Sequence, residues 1–482
     1  MPNNLIEHIV TDLKGVRSQI LRVEDSSGFL LRSDVRSLLK EHKIVVVPGP
    51  VLNHRVAFEL RHKSPETVFI FLAQQQELYL EDVLNCSTRF KFFLSDYVEG
   101  YHVDSMVTCP LDVLQRLYDD QVVINVSKVD TLKRITELSV TETVFDHKTL
   151  KADINRELCV VPIDWLRIIQ LCSNALCKSI GTKSEKDVVI IIDRVNGHFQ
   201  KEIATNYGQL PNSNAIERPK IVSKVLDHIK HQQNSKDALI VLDGFAFWQY
   251  LLLKQRIERL GLSLNESYTY SWIPTITQLS RQAIFRGAAP ENDYTQNPNN
   301  EGKLFRSYWL DNGVFENEIG YFHGEITNSS FSGYSKLAWV VKDFDDLMHS
   351  SIDYKEQLDR TLYRVNVIMS IEEQVKSIVE AGFTVHLTTD HGSVKTRPWR
   401  RLAGRENLTN KSGSRSMRHI EYDSDLRADQ FIQDNPEISN SLSQKHNMVF
   451  FNDDMCFDSK SLITHGGSHL LEVVIPFVKI WK

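Results

Sequence analysis

The chain has 482 residues, 41% of them hydrophobic, enough for two or three domains with their own cores. Its net charge of −6 points to no special class of partner. No run approaches the 18 apolar residues of a membrane span, and Met1-Pro2-Asn3-Asn4-Leu5-Ile6-Glu7-His8 lacks a signal-peptide pattern, so membrane association is not expected. Six cysteines (Cys86, Cys109, Cys159, Cys172, Cys177, Cys456) form no Cys-x-x-Cys pair and stand mostly among apolar neighbours, as reduced thiols of a cytoplasmic protein would.

To about residue 150, helix-like segments alternate with short apolar runs at residues 43–49, 67–72 and 89–93. That alternation predicts a small α/β domain over 1–150, without a catalytic motif and suited to an interaction role. Pro48-Gly49-Pro50 follows a strand but lacks the Gly-Lys-Ser/Thr of a nucleotide phosphate loop. Residues 151–235 read as a mostly helical middle region around one strand, 188–192, which ends at Asp193.

From residue 236 the pattern changes. Ala238-Leu239-Ile240-Val241 is a buried-strand run that stops at Leu242-Asp243-Gly244, and residues 383–387 stop at Thr389-Asp390-His391-Gly392. Near the C-terminus, Thr464-His465-Gly466-Gly467 precedes Val473-Val474-Ile475-Pro476. Strands that end in this way deliver a carboxylate or imidazole to the C-terminal edge of a parallel sheet, where ligands collect in open α/β folds. Asp345 and His349 are four residues apart after another apolar run, so one turn of helix puts both on one face. Pro274-Thr275-Ile276-Thr277 follows a strand-like stretch and opens a helix, where a hydroxyl meets free backbone N–H groups.

Several polar residues compete for these roles. Asp193 rivals Asp243 as a strand-end carboxylate, Asp343 and Asp346 flank Asp345, and Thr275 rivals Thr277. His323, His386 and His469 fit packing, capping or supporting roles.

In chain order these segments resemble the alkaline phosphatase superfamily, and within it the PglZ family. The resemblance rests on Asp243-Gly244, Pro274-Thr275-Ile276-Thr277 with Gly287 closing the next helix, Asp345-x-x-x-His349, Asp390-His391-Gly392, and His465-Gly466-Gly467 followed by Glu472 and Pro476. It implies an α/β catalytic domain over 236–482, with a mostly parallel central sheet flanked by helices. It further implies two divalent ions, Zn²⁺ or alternatively Mn²⁺: one held by Asp243, Asp390 and His391, the other by Asp345, His349 and His465. The family spacing to Gly287 favours Thr277 as nucleophile, and the position of the nucleophile soon after the first ligand favours Asp243 over Asp193. A hydroxyl is a poor nucleophile at neutral pH unless its pKa is lowered, which coordination to a divalent ion does.

Between Lys395 and Arg418 lie eight basic residues against one acid, Glu406. This segment leaves the Asp390-His391-Gly392 edge and includes Lys411-Ser412-Gly413-Ser414-Arg415-Ser416. Read functionally, Lys395, Arg397, Arg400 and Arg401 grip substrate phosphate and Trp399 stacks on a base, which favours a nucleotide or nucleic-acid substrate; read structurally, the run is a solvated loop.

The expectation is a metal-dependent phosphodiesterase. The resemblance implies work in bacterial anti-phage defence of the bacteriophage-exclusion type, beside other defence subunits. The alternatives are a non-catalytic partner-binding subunit and a phosphomonoesterase or phosphoglycerate mutase-like enzyme. No Cys or Ser stands in the Cys/Ser-x-Pro-x-Arg context that a sulfatase needs.

Overall fold

The apolar runs of the sequence become the strands of two parallel or mostly parallel sheets, each in its own compact unit. The computed structural model describes residues 4–47, 51–72, 81–120, 126–139, 147–324, 326, 331–364, 371–409 and 415–482. Pro48-Gly49-Pro50 and Lys411-Ser412-Gly413-Ser414 lie outside the described residues. Among those described, no helix is long and apolar enough to cross a membrane. All six cysteines are free; Cys109, Cys172 and Cys456 are buried, whereas Cys86 and Cys159 are exposed.

One unit spans Met1–Thr141 together with Arg256–Gly261. Its strands β1 (Ile20–Asp25), β2 (Ile44–Val47), β3 (Val68–Leu72) and β4 (Thr88–Phe92) form a sheet of order β2-β3-β1-β4, parallel throughout. Successive side chains leave opposite faces of a strand. Ile70 of β3 therefore joins the core of Leu21, Val23, Leu39 and Leu117, while Phe69 and Phe71 join Phe58 and Val83 on the other face. β1 is an internal strand that the apolar-run criterion misses, because Arg22, Glu24 and Asp25 interrupt it.

The second unit comprises Glu142–Gln255, Leu262–Val365 and Ser370–Lys482. Residues 151–235 belong to it and are helical, with no strand beyond a single bridge from Ile221 to Tyr270. The expected strand at 188–192 is instead part of a 22-residue helix, Glu185–Asn206. Val188, Ile192, Val195, Asn196 and Phe199 are its buried face, at spacings of four, three, one and three, while Ile190 is 65% exposed. This is the 3.6-residue period of a helix, and Glu185 and Asp187 in the first turn suit its N-terminus.

The main sheet holds β5 (Asp237–Leu242), β6 (Ser263–Tyr270), β7 (Ile319–His323), β8 (Lys336–Val341), β9 (Thr384–Thr388) and β10 (Val474–Trp481) in the order β6-β10-β9-β5-β8-β7. β5 is buried along its whole length between parallel neighbours β8 and β9, as a continuous apolar run requires. β10 alone runs in reverse, antiparallel to both β6 and β9. The reversal matters for function: the residues just before β10 arrive at the same edge where β5, β6, β8 and β9 end. A separate three-stranded antiparallel sheet (His419–Glu421, Leu442–Lys445 and Met448–Phe451) packs on Phe431 and Phe457.

Loops at that edge are packed against one another without slack. A methyl group at Gly392 would sit 2.0 Å from the backbone oxygen of Leu471, which cannot yield as a side chain can. Gly466 takes φ +107°, and a Cβ there would overlap the Ser416 hydroxyl. Gly392→Ala is therefore expected to destabilise this unit by about 1–3 kcal/mol, read by chemical denaturation. Gly404→Ala, with nothing within 4 Å, is the neutral control. Equal stability of the two variants would contradict the packing described.

Candidate metal centre

Asp243 follows β5 directly, Asp390 and His391 follow β9, and Asp345 and His349 lie on the helix Asp343–His349 that follows β8. His465 arrives on the turn before β10, and Thr277 opens the helix Thr277–Arg286 after β6. The structure brings all seven to one place. Asp243, Asp390 and His391 can each offer a ligand atom within 4.8 Å of the others', and so can Asp345, His391 and His465. His391 thus belongs to both groups rather than to one. His349 stands at the rim, its Nε2 3.3 Å from Asp345 Oδ1 and its ring 5.2 Å from that of His465.

Each carboxylate has one oxygen held and one free. Arg281 donates to Asp243 Oδ2 at 2.7 Å, leaving Oδ1 buried without a hydrogen-bond partner. The N–H groups of Gly244 and His391 donate to Asp390 Oδ1, each at 3.0 Å, leaving Oδ2 unpartnered. Arg415 holds Asp345 Oδ2, and Oδ1 makes no hydrogen bond. The imidazoles follow the same rule. Nδ1 of His391 faces the Gly392 carbonyl at 3.0 Å and Nδ1 of His465 faces the Thr275 carbonyl at 2.6 Å, which puts the proton on Nδ1 and the lone pair on Nε2.

Burial and charge agree with this tautomer. Burial lowers the pKa of both His391 and His465, and the two rings stack 3.8 Å apart, so both are held neutral. Burial and the neighbouring Asp243 push the Asp390 carboxyl well above its usual range. Burial acts upward on Asp345 too, but His349, His465 and His391 outweigh it and bring that carboxyl below its usual range. Unpartnered buried carboxylate oxygens beside neutral imidazoles, with no thiol among them, form a donor set that fits Zn²⁺ or Mn²⁺.

Thr277 is half-buried, and its hydroxyl donates to His391 Nε2 at 3.0 Å. Thr275 is fully buried and occupied: its Oγ1 accepts from Gly466 N–H at 2.9 Å and faces the Gly467 carbonyl at 3.0 Å. Asp343 pairs with Arg364 and Asp346 with Arg415, and neither belongs to a ligand group. Asp193 lies on the 185–206 helix near His469, whose side chain caps the helix Leu470–Val473. His386 pairs with Asp237 at 2.9 Å. Glu472 supports the His465 turn, accepting from Gly467 N–H at 3.1 Å and from the fully buried Arg418 at 3.0 Å.

The cluster opens into a cleft of about 1080 Å³, lined also by residues 291–298, His419, Glu421, Asn447 and Met448. None of the four basic residues expected to grip substrate lines it. Lys395 pairs with Glu185, Arg397 with Asp454, Arg400 with Glu406 and Arg401 with Asp458. Trp399 is not a free stacking platform either, since Arg400 covers its face and its ring packs against Phe431 and Phe457. The cations that do line the cleft are Arg281, Lys342 and Arg415. Of these, Arg281 could have been found from the sequence, because it lies one turn after Thr277 on the same helix face.

No protein of curated function matches the chain. Among solved structures, a phosphonoacetate hydrolase from Sinorhizobium meliloti 1021 with bound phosphonoformate aligns at 12% identity over 51% of this chain and 90% of its own, with a TM-score of 0.32. Murine ectonucleotide pyrophosphatase / phosphodiesterase 5 aligns at 12% identity over 51% and 88%, with a TM-score of 0.33. The family model described as "BREX system PglZ alkaline phosphatase-like domain" matches residues 221–480, which hold the main sheet and every residue of the cluster. The chain therefore belongs to the PglZ family, with an alkaline phosphatase-like domain as its C-terminal half.

Proposed function

We propose that this chain is a metal-dependent phosphodiesterase that uses Thr277 as nucleophile and works in anti-phage defence beside other subunits of a bacteriophage-exclusion system. One observation carries the enzymatic part: three buried carboxylates each keep an oxygen without a hydrogen bond, beside two imidazoles with unprotonated Nε2 atoms, that of His391 meeting the Thr277 hydroxyl. Asp243, Asp390 and His391 would hold one divalent ion, and Asp345, His465 and His349 the other, with His391 within reach of both. Bound there, the ions would lower the pKa of a coordinated hydroxyl and neutralise charge on the phosphoryl oxygens and leaving group. Zn²⁺ is the first expectation and Mn²⁺ the second.

The protein's own groups fit that chemistry. Thr277 Oγ1 stands 3.0 Å from His391 Nε2, and its helix start has no side-chain cap, so first-turn N–H groups remain to receive a phosphoryl oxygen. Attack by Thr277 on phosphorus would expel the first alcohol and leave a phosphothreonine, which water then hydrolyses. Arg415, 58% exposed at the cleft, is the cation best able to follow the substrate.

Charge favours a diester. Six carboxylates (Asp243, Glu291, Asp293, Asp345, Asp346, Glu421) and three cations line the cleft; with the ligand Asp390 and with Glu301, which pairs with Arg281, the balance of carboxylates against Lys and Arg is −5. Two divalent ions bring that to −1, at which a monoanionic diester is repelled less than a dianionic monoester. The volume of the cleft leaves room for a substituent on each ester oxygen, as a nucleotide or nucleic-acid substrate needs.

Hydrolysis of bis-p-nitrophenyl phosphate should exceed that of p-nitrophenyl phosphate, stop in EDTA and return with Zn²⁺ or Mn²⁺. Thr277→Ala should lose at least 10²-fold in kcat with metal content unchanged, whereas Thr275→Ser should keep turnover. Full activity in Thr277→Ala would remove that residue from the mechanism. Asp345→Ala should bind one ion fewer per chain than wild type and Asp346→Ala the same number; the reverse would move the ligand to Asp346.

A further inference from the structure

Arg281 poses an electrostatic problem for a cation site. Its guanidinium is buried, 4% exposed, and lies 2.7 Å from an oxygen of Asp243, a carboxylate that would hold an ion through its other oxygen. A fixed positive charge so close should repel a divalent ion. Its benefit is geometric: by occupying Oδ2, Arg281 leaves only Oδ1 to ligate. It also ties that ligand to the helix that carries Thr277.

The structure supplies a counter-charge. Glu301, fully buried on the helix Pro298–Asp311, accepts from the other terminal nitrogen of Arg281 at 2.6 Å. Its carboxylate also accepts hydrogen bonds from the Tyr321 hydroxyl and the Gln296 side-chain amide. Burial holds the Glu301 carboxyl above its usual range, against the lowering pull of Arg281 and the Tyr321 hydroxyl, so its place as counter-charge rests on the direct contact with the guanidinium. Glu301 is not in either ligand group, so it is spent on Arg281.

Resting on the two-metal reading above, we propose that Glu301 is a charge-balancing positioning residue. It cancels the Arg281 charge so that Arg281 can orient Asp243 without expelling the ion held by Asp243, Asp390 and His391. One ion position is thus sensitive to Glu301; the position at Asp345 and His465 is not.

The test is calorimetric titration of Zn²⁺ or Mn²⁺ into the metal-stripped full chain, with folding followed by circular dichroism in EDTA. Wild type should take two ions. Glu301→Gln should bind one ion as wild type does and the second at least about ten-fold more weakly, within the range typical for partners of metal ligands. Glu301→Asp, which keeps the charge, should bind both. Arg281→Met/Glu301→Gln, which removes both charges, should bind the second ion more tightly than Glu301→Gln alone, an order that loss of packing cannot produce. The proposal is overturned by wild-type affinity at both positions in Glu301→Gln, or by a double variant no tighter than the single. A wild-type chain that bound no ion would instead overturn the metal-centre reading on which the proposal rests.

Discussion

Three carboxylates buried around one shared imidazole, His391, repel, and each loses hydration that water would have given it. The C-terminal half of this chain is organised around that constraint. Asp243 is held by Arg281, Asp390 by the Gly244 and His391 amides, and Asp345 by Arg415, each through a single oxygen. What remains is a set of unpartnered oxygens facing two neutral, stacked imidazoles. Such an arrangement makes physical sense as a receptor for divalent cations, which supply the charge that the protein's own groups do not.

The sheet makes the convergence possible. Strands β5, β8 and β9 run parallel, so the residues after each arrive at one edge, and the reversed β10 feeds His465 to the same edge from the other chain direction. The turn that carries His465 needs its own support, which the buried Arg418–Glu472 pair and the Thr275 hydroxyl provide. This gives Thr275 a structural task and leaves Thr277, two residues on and half-buried, as the hydroxyl that meets the cleft.

How much of this was legible in the sequence depended on how local the signal is. Asp243, Asp390, His391 and His465 stand beside runs of buried strand, so their destination follows from position alone. Asp345 and His349 follow from a four-residue spacing. The region 188–192 was misleading because five apolar residues read alike in a strand and in a buried helix segment; only the longer pattern through Phe199 separates them. The basic segment failed for a different reason. Sequence shows that Lys395, Arg397, Arg400 and Arg401 are close to a metal edge, but not that Glu185, Asp454, Glu406 and Asp458 come to meet them. Arg281 and Glu301, 20 residues apart, gave no sign of being a pair, since nothing local links two helices that meet only in the fold.

The most direct test of this account is an anomalous-diffraction map of the full chain crystallised with Zn²⁺ or Mn²⁺. The account predicts two peaks per chain about 3.5–4 Å apart. One should be ligated by Asp243 Oδ1, Asp390 Oδ2 and His391 Nε2, the other by Asp345 Oδ1, His465 Nε2 and His349. No peak at this cluster under saturating metal, or ions bound only elsewhere, would contradict it and leave the buried carboxylates without the counter-charge that explains them.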